Sequence, residues 1–195
     1  MTGLREEITA EGAACTLYRD APAWEGRRTA AIGGFSCASA AAGAALLGRA
    51  GEMARAEGFE RLIGPMDGDT WHRYRVVTET DGSPPFPLEP VSGPHDLSAF
   101  ATAAFAPISS YVSARARLDD AIGAGPPVTL PGVRVEPWDG SDPRRLIGRL
   151  FDLSSAGFER NAFFKPIDKA EFVKLYEPII PTIDPRLVLF ALEEA

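Results

Sequence analysis

Apolar residues recur at helical spacing between Ser39 and Gly58. Leu46, Leu47, Ala50, Met53 and Ala54 share one face, and Arg49, Glu52 and Arg55 occupy the other. Ser39 has the right chemistry to cap the start, and Gly58 to cap the end. Ahead of this helix, Cys15 to Tyr18 and Arg28 to Phe35 read as short strands. The link between them holds Trp24, Glu25 and Gly26, the composition of a hairpin turn. Behind it, Leu62 and Ile63 form a brief buried strand that runs into Gly64-Pro65. A strand, a helix and a strand with a short link make a crossover, which pairs its strands in parallel.

Further along, Ser83 to Pro90 cannot be helix or central strand, because Pro84, Pro85, Pro87 and Pro90 each remove a donor. The pattern predicts a short helix over 97–105 and a half-exposed strand over Tyr111 to Leu118, where apolar and Ser/Arg positions alternate. Gly123, Gly125, Pro126 and Pro127 mark residues 119–131 as a linker. Val133 to Val135 then reads as a strand. Ser141-Asp142-Pro143 starts a helix with Leu146, Leu150, Leu153 and Phe158 as its stripe. Asp168 caps a second helix, with Glu171 at the capping-box position and Phe172, Val173 and Tyr176 facing inward. Leu187 to Leu192 closes the series as a strand. The fold class is α/β (α+β): a mixed, mostly antiparallel sheet flanked by helices. It is organised as residues 1–118, a linker and residues 132–195. Leu46, Leu47, Ala50, Ile63, Phe105, Val112, Leu150 and Phe172 are the expected core.

Composition narrows the function more than the fold. The net charge is -7, with no Lys/Arg-rich run. That argues against nucleic acid, whose binding requires a basic face. Cys15 and Cys37 lie outside any CxxC, and there are two histidines, so the usual Cys/His zinc sites have too few ligands and no metal is expected. No basic flank precedes an apolar run at the N-terminus, and no stretch is apolar enough to span a membrane. A cytoplasmic protein is the expectation. The Gly, Ala and Pro content, with Arg above Lys, is what a GC-rich genome encodes.

The densest chemistry lies between Gly64 and Arg75, after the Leu62-Ile63 strand. Pro65 holds Gly64 extended, and Asp67-Gly68 turns the chain. Asp69 or Thr70 then caps a helix starting near Thr70, which sets Trp71 and Tyr74 three apart on one face. Asp67 is open to two readings, a helix cap or a carboxylate that fixes an amine. Arg73 and Arg75 suit a phosphate or carboxylate, or are simply solvated. Glu89, held between prolines, is a general base or a surface charge. Trp71 suits a core as well as a ligand platform. His72 and His95 show no partner and read as surface residues.

The spacing Asp67-x-x-Thr70-x-x-x-Tyr74 after a helix and a strand is similar to the second half of the GNAT fold of N-acetyltransferases. The wider run looks like a bacterial two-domain group of that superfamily. It extends from Ala31-Ile32-Gly33-Gly34-Phe35 through Gly64-Pro65-Met66-Asp67-Gly68-Asp69-Thr70-Trp71 to Pro84-Pro85-Phe86-Pro87-Leu88-Glu89-Pro90. In that group a degenerate first half precedes an acetyl-CoA-binding second half. The resemblance implies an N-acyltransferase with acetyl-CoA as co-substrate and a small amine as acceptor. Tyr74 would protonate the leaving thiolate, and Glu89 would act as base. Phe35, Asp67, Trp71 and Arg73 would line the acceptor pocket. Strand, helix, helix, strand over residues 132–195 is the opening order of a second such domain.

The Gln/Arg-x-x-Gly-x-Gly/Ala turn that holds the pyrophosphate in this superfamily is missing. After Phe35 the chain reads Ser36-Cys37-Ala38-Ser39-Ala40-Ala41-Ala42-Gly43, with no basic residue. The second half stops before such a turn would be reached. No cofactor-binding residue is therefore assigned. One expectation is a degenerate or truncated acyltransferase, in which residues 132–195 open a second domain or complete the first sheet. The alternative is a non-catalytic GNAT-like module that binds a small molecule or forms an oligomer such as a homodimer.

Overall fold

The computed structural model describes residues 3–117, 119 and 130–193. The chain forms two units. Met1–Ile108 and Phe158–Lys165 make the first, and Ser109–Gly157 and Pro166–Ala195 make the second. The linker expected over 119–131 lies largely outside the described residues.

The first unit holds β1 (Arg5–Ala10), β2 (Ala13–Tyr18), β3 (Thr29–Cys37), α1 (Ala40–Ala56), β4 (Arg61–Ile63) and α2 (Asp96–Thr102). The sheet runs β1-β2-β3-β4. β1, β2 and β3 are antiparallel neighbours, while β4 lies parallel to β3 across the α1 crossover. This is the mixed, mostly antiparallel sheet the pattern called for. Ala13, Cys15 and Leu17 point from β2 into a core shared with Ile32, Leu46, Leu47, Ala50 and Phe100. Burial pushes the Cys15 thiol up to about 11, so it stays protonated and packs as a small apolar group. β1 was not foreseen, because its one fully inward apolar residue is Ile8 among Arg, Glu and Thr.

Capping follows the sequence. The Ser39 hydroxyl accepts from the Ala42 N–H (3.2 Å), and Gly58 follows the helix at φ 80°. α2 lies so close to α1 that a Cβ on Gly43 would sit 2.7 Å from the Ala99 methyl and 2.9 Å from the Cys37 sulfur. Arg19, almost fully buried, donates to both Glu57 oxygens at 2.6 Å and to Glu6. It thereby ties the end of α1 to β1.

The second unit holds β5 (Val133–Pro137), α3 (Pro143–Phe158, whose last residue belongs to the first unit), α4 (Lys169–Tyr176), two 3-10 turns (Glu177–Thr182 and Pro185–Leu187) and β6 (Leu189–Glu193). β5 and β6 pair with each other, antiparallel, in a sheet of their own. Its buried side chains include Leu146, Ile147, Phe172, Ile180 and Phe190. Phe172 lies between the rings of Phe151 and Tyr176, and the Arg149 guanidinium covers Phe190 at 3.7 Å. The Asp168 carboxylate accepts from the Glu171 N–H at 2.8 Å, as the capping pattern requires.

Three expectations are corrected. Residues 111–117 form no strand, and Val112 is 90% exposed, because alternation builds a strand only where a partner supplies the ladder. Leu118 lies outside the described residues. Leu153 and Phe158, expected on the inner stripe of α3, are 60% and 48% exposed. A helix of this length, ~24 Å by its rise per residue, outruns strands of five residues, ~17 Å. Ile63, Phe105 and Leu150 are half-buried rather than buried. Among the described residues no helix is long and apolar enough to cross a membrane.

Replacing Gly43 by Ala should force α1 and α2 apart. A loss of ~1–3 kcal/mol in unfolding free energy is expected, measured by urea denaturation; unchanged stability would contradict the tight helix contact.

Candidate functional site

β4 delivers the chain to Gly64-Pro65, joined by a cis peptide bond. The Met66 N–H then donates to the Ile32 carbonyl (2.7 Å), which continues the pairing with β3. From there the segment folds back on itself. The Asp67 N–H donates to the Arg73 carbonyl (2.8 Å), the Arg75 N–H to the Pro65 carbonyl (3.0 Å), and Met66 bridges Tyr74. The helix expected from Thr70 is absent, and Trp71 and Tyr74 share no helix face. Asp69 does cap, but its carboxylate accepts from the Trp71 N–H (3.0 Å) in an Asx turn. Once Met66 and Tyr74 pair, the backbone groups a helix would need are already engaged.

This loop is pressed onto β3. The Asp67 Oδ1 accepts from the Gly34 N–H at 2.7 Å. A Cβ on Gly33 would lie 2.6 Å from the Asp67 Cα and 2.7 Å from the Met66 carbonyl oxygen, so only glycine fits.

One edge of the loop gathers charged and phenolic groups. Arg73, 79% exposed at its side chain, reaches Asp67 at 3.4 Å. The Arg75 guanidinium covers the Tyr74 ring at 4.6 Å and faces Glu89 at 3.7 Å. Glu89 returns to this edge because the Ser92 hydroxyl accepts from the Val77 N–H (2.9 Å) and the Glu89 N–H donates to the Phe86 carbonyl (3.0 Å). Tyr74 is half-buried and packs on Tyr18, Ala31 and Met66. Burial, then the Asp67 charge, push the Tyr18 phenol up. Phe35 stands half-buried on β3, edge-on to Phe100 at 5.0 Å.

Trp71 belongs to a different set of contacts. Its indole N–H donates to the Lys165 carbonyl (2.8 Å), and its ring meets Phe158 and Phe164, each at 5.9 Å. The structure thus collects Asp67, Arg73, Tyr74 and Glu89 along one edge, with Arg75 between them. It commits Trp71 to an aromatic contact and Phe35 to the α2 side of the sheet.

His72, expected at the surface without a partner, holds its Nδ1 2.8 Å from the Asp69 carboxylate. A carboxylate only accepts, so Nδ1 carries the proton. Asp69 is 4% exposed. Burial pushes its carboxyl up, but the His72 hydrogen bond and charge, the Trp71 N–H and the nearby Lys165 together hold it below the ordinary value. The spacing Asp-x-x-His was the sequence signal for this pair. His95 is half-buried just ahead of α2.

Among the described residues, no group of three or more His, Cys, Asp or Glu side chains is placed to hold a metal ion. At the turn into α1 the Ala38 N–H bonds to the Gly12 carbonyl (2.7 Å) and the Ala42 N–H to the Ser39 hydroxyl. No family model, curated protein or solved structure matches the chain.

Asp69→Ala should cost ~1–3 kcal/mol at neutral pH by leaving its buried partners unsatisfied. The folded carboxyl is held below its unfolded value, so its stabilisation is present above about pH 3.9 and fades as pH falls through the folded value. The stability gap between wild type and variant should therefore narrow below about pH 4. A gap that stays constant down to acid unfolding would contradict the assignment.

Proposed function

We propose that this chain is a GNAT-like N-acyltransferase protein whose first unit supplies an acceptor-side surface and no acetyl-CoA site. The observation that carries the reading is the position of the 64–75 loop. It begins at the carboxyl end of β4, just past the parallel-paired stretch of β3, and runs along the second half of β3, to which it is fastened at Gly34. In crossover folds, ligands bind outside the carboxyl ends of the strands. The element order gives further support. A β3-α1-β4 crossover precedes the loop, and β5-α3-α4-β6 repeats the strand-helix-helix-strand order that the resemblance implies for the start of a second domain.

The chemistry required is attack of an uncharged amine on a thioester carbonyl. The new C–N bond forms, the C–S bond breaks, the amine loses a proton, and the departing thiolate gains one. The Asp67 and Glu89 carboxylates suit the earlier task of drawing an ammonium to the loop edge. Arg73 and Arg75 orient the two carboxylates. Tyr74, half-buried, meets a thiolate only if another part of an assembled protein brings the thioester to it.

The second reading, a non-catalytic GNAT-like binding module, is favoured by the start of α1. Ser39 caps its own helix there, and residues 36–43 bring no basic side chain.

Both readings expect no micromolar binding of acetyl-CoA by this chain in calorimetry, and such binding would overturn the division of labour proposed here. The acyltransferase reading further expects a primary alkylamine to shift the amide NMR signals of residues 33–35, 67, 73–75 and 89. Glu89→Gln should weaken that binding roughly tenfold, or ~1.4 kcal/mol. Signals that do not move, or that move only elsewhere, would remove the acceptor assignment.

A further inference from the structure

Residues 158–165, the last residue of α3 and the seven after it, belong to the first unit. They are fastened there by four kinds of contact. Phe163 stacks on Trp24 at 4.5 Å and joins the cluster of Tyr18, Ala31 and Met66 that also holds Tyr74. Phe158 and Phe164 meet the Trp71 ring, and the Lys165 carbonyl accepts from the Trp71 indole. The Lys165 ammonium donates to Asp20 Oδ2 at 2.6 Å. Trp24 and Asp20 lie in the β2–β3 connection, and Trp71 lies in the 64–75 loop. One short segment therefore holds two loops that are far apart in sequence.

Apart from Phe163, the fastening lies near the surface. Phe158 is exposed, and Lys165 and Asp20 keep about a third and a quarter of their side-chain surface open. Among the described residues the second Asp20 oxygen, Oδ1, is buried without a hydrogen-bond partner, so its carboxylate is held through one oxygen. The loop itself has few regular backbone bonds, namely the Met66–Tyr74 bridge and its immediate neighbours. Segments of this kind open locally at low free energy unless something covers them.

We propose that residues 158–165 are a strap that sets the conformation of the 64–75 loop, with Lys165 as its anchor and positioning residue. With the strap seated, Trp71 is fixed from outside through its indole N–H and ring. Asp69 and His72, its neighbours in the Asx turn, are then held in register. With the strap lifted, Trp71 loses Phe158 and Phe164 and Trp24 loses Phe163 together, and the loop is left to its own bridge and its contacts with β3 and Glu89. The order of the loop is thus conditional on a segment more than 80 residues later in the chain, by the numbering. This stands whether or not the loop meets an amine.

The test is amide hydrogen exchange on the full chain, read together with tryptophan emission. In Phe163→Ala and in Lys165→Met, the amides of Asp67, Trp71 and Arg75 should exchange about tenfold faster, and emission should shift to the red. The amides of α1 should keep their wild-type rates, and Lys165→Arg should restore the loop. The proposal is overturned if the loop amides keep wild-type rates in both variants. Equal acceleration of α1 and the loop would also overturn it, since the strap would then be a core element instead of a local clamp.

Discussion

The structure of the first unit depends on one close approach. Where β4 ends, the chain does not leave the sheet but crosses β3 at Gly33, so closely that a Cβ there would lie 2.6 Å from the Asp67 Cα. The Asp67 carboxylate then takes the Gly34 N–H, a donor that β2 does not engage at that point because the β2–β3 register slips between Ala14 and Thr16. An irregularity in one ladder thus frees the donor that fixes the next segment. Any side chain at position 33 would lift Met66 and Asp67, and with them the loop that both residues begin.

That contact divides the loop into two edges. On one edge, carboxylates and guanidinium groups alternate: Asp67 with Arg73, and Arg75 with Glu89. Arg73 is mostly exposed, so its pair with Asp67 contributes little to stability, whereas Arg75 and Glu89 are both largely covered. On the other edge, Trp71 is engaged by residues that return from the far end of α3. Between them lies the buried Asp69, whose charge is compensated by His72 and by the Trp71 amide. A buried carboxylate with that many donors holds the turn firmly, because losing any partner leaves a desolvated charge.

Much of the scaffold was legible in the residues. α1, its serine cap, the parallel β3–β4 crossover and the Asp168 cap all rest on local patterns, and local patterns survive folding. The errors share a cause. Residues 111–117 alternate like a strand, yet alternation does not supply a partner. Residues 67–75 carry helix-capping chemistry, yet the same Asp69 side chain serves an Asx turn once Met66 pairs with Tyr74. At the candidate site, the grouping of Asp67, Arg73, Tyr74 and Glu89 was drawn from a motif, while the separation of Trp71 from them was not visible. Its partners Phe158, Phe164 and Lys165 sit in a stretch with no periodicity of its own. Asp69 and His72 were three residues apart in plain view, and the histidine was missed because its partner had been assigned to a cap.

Asp67 fastens the loop to β3 through the Gly34 amide. Exchange of that single amide in Asp67→Ala is the most direct measurement. Gly34, protected in the wild type, should exchange at close to the rate of an open amide in the variant, while its strand neighbours Ala31 and Ile32 stay protected. Unchanged protection at Gly34 would mean that another group satisfies it, and that the loop is held to the sheet by something other than this carboxylate.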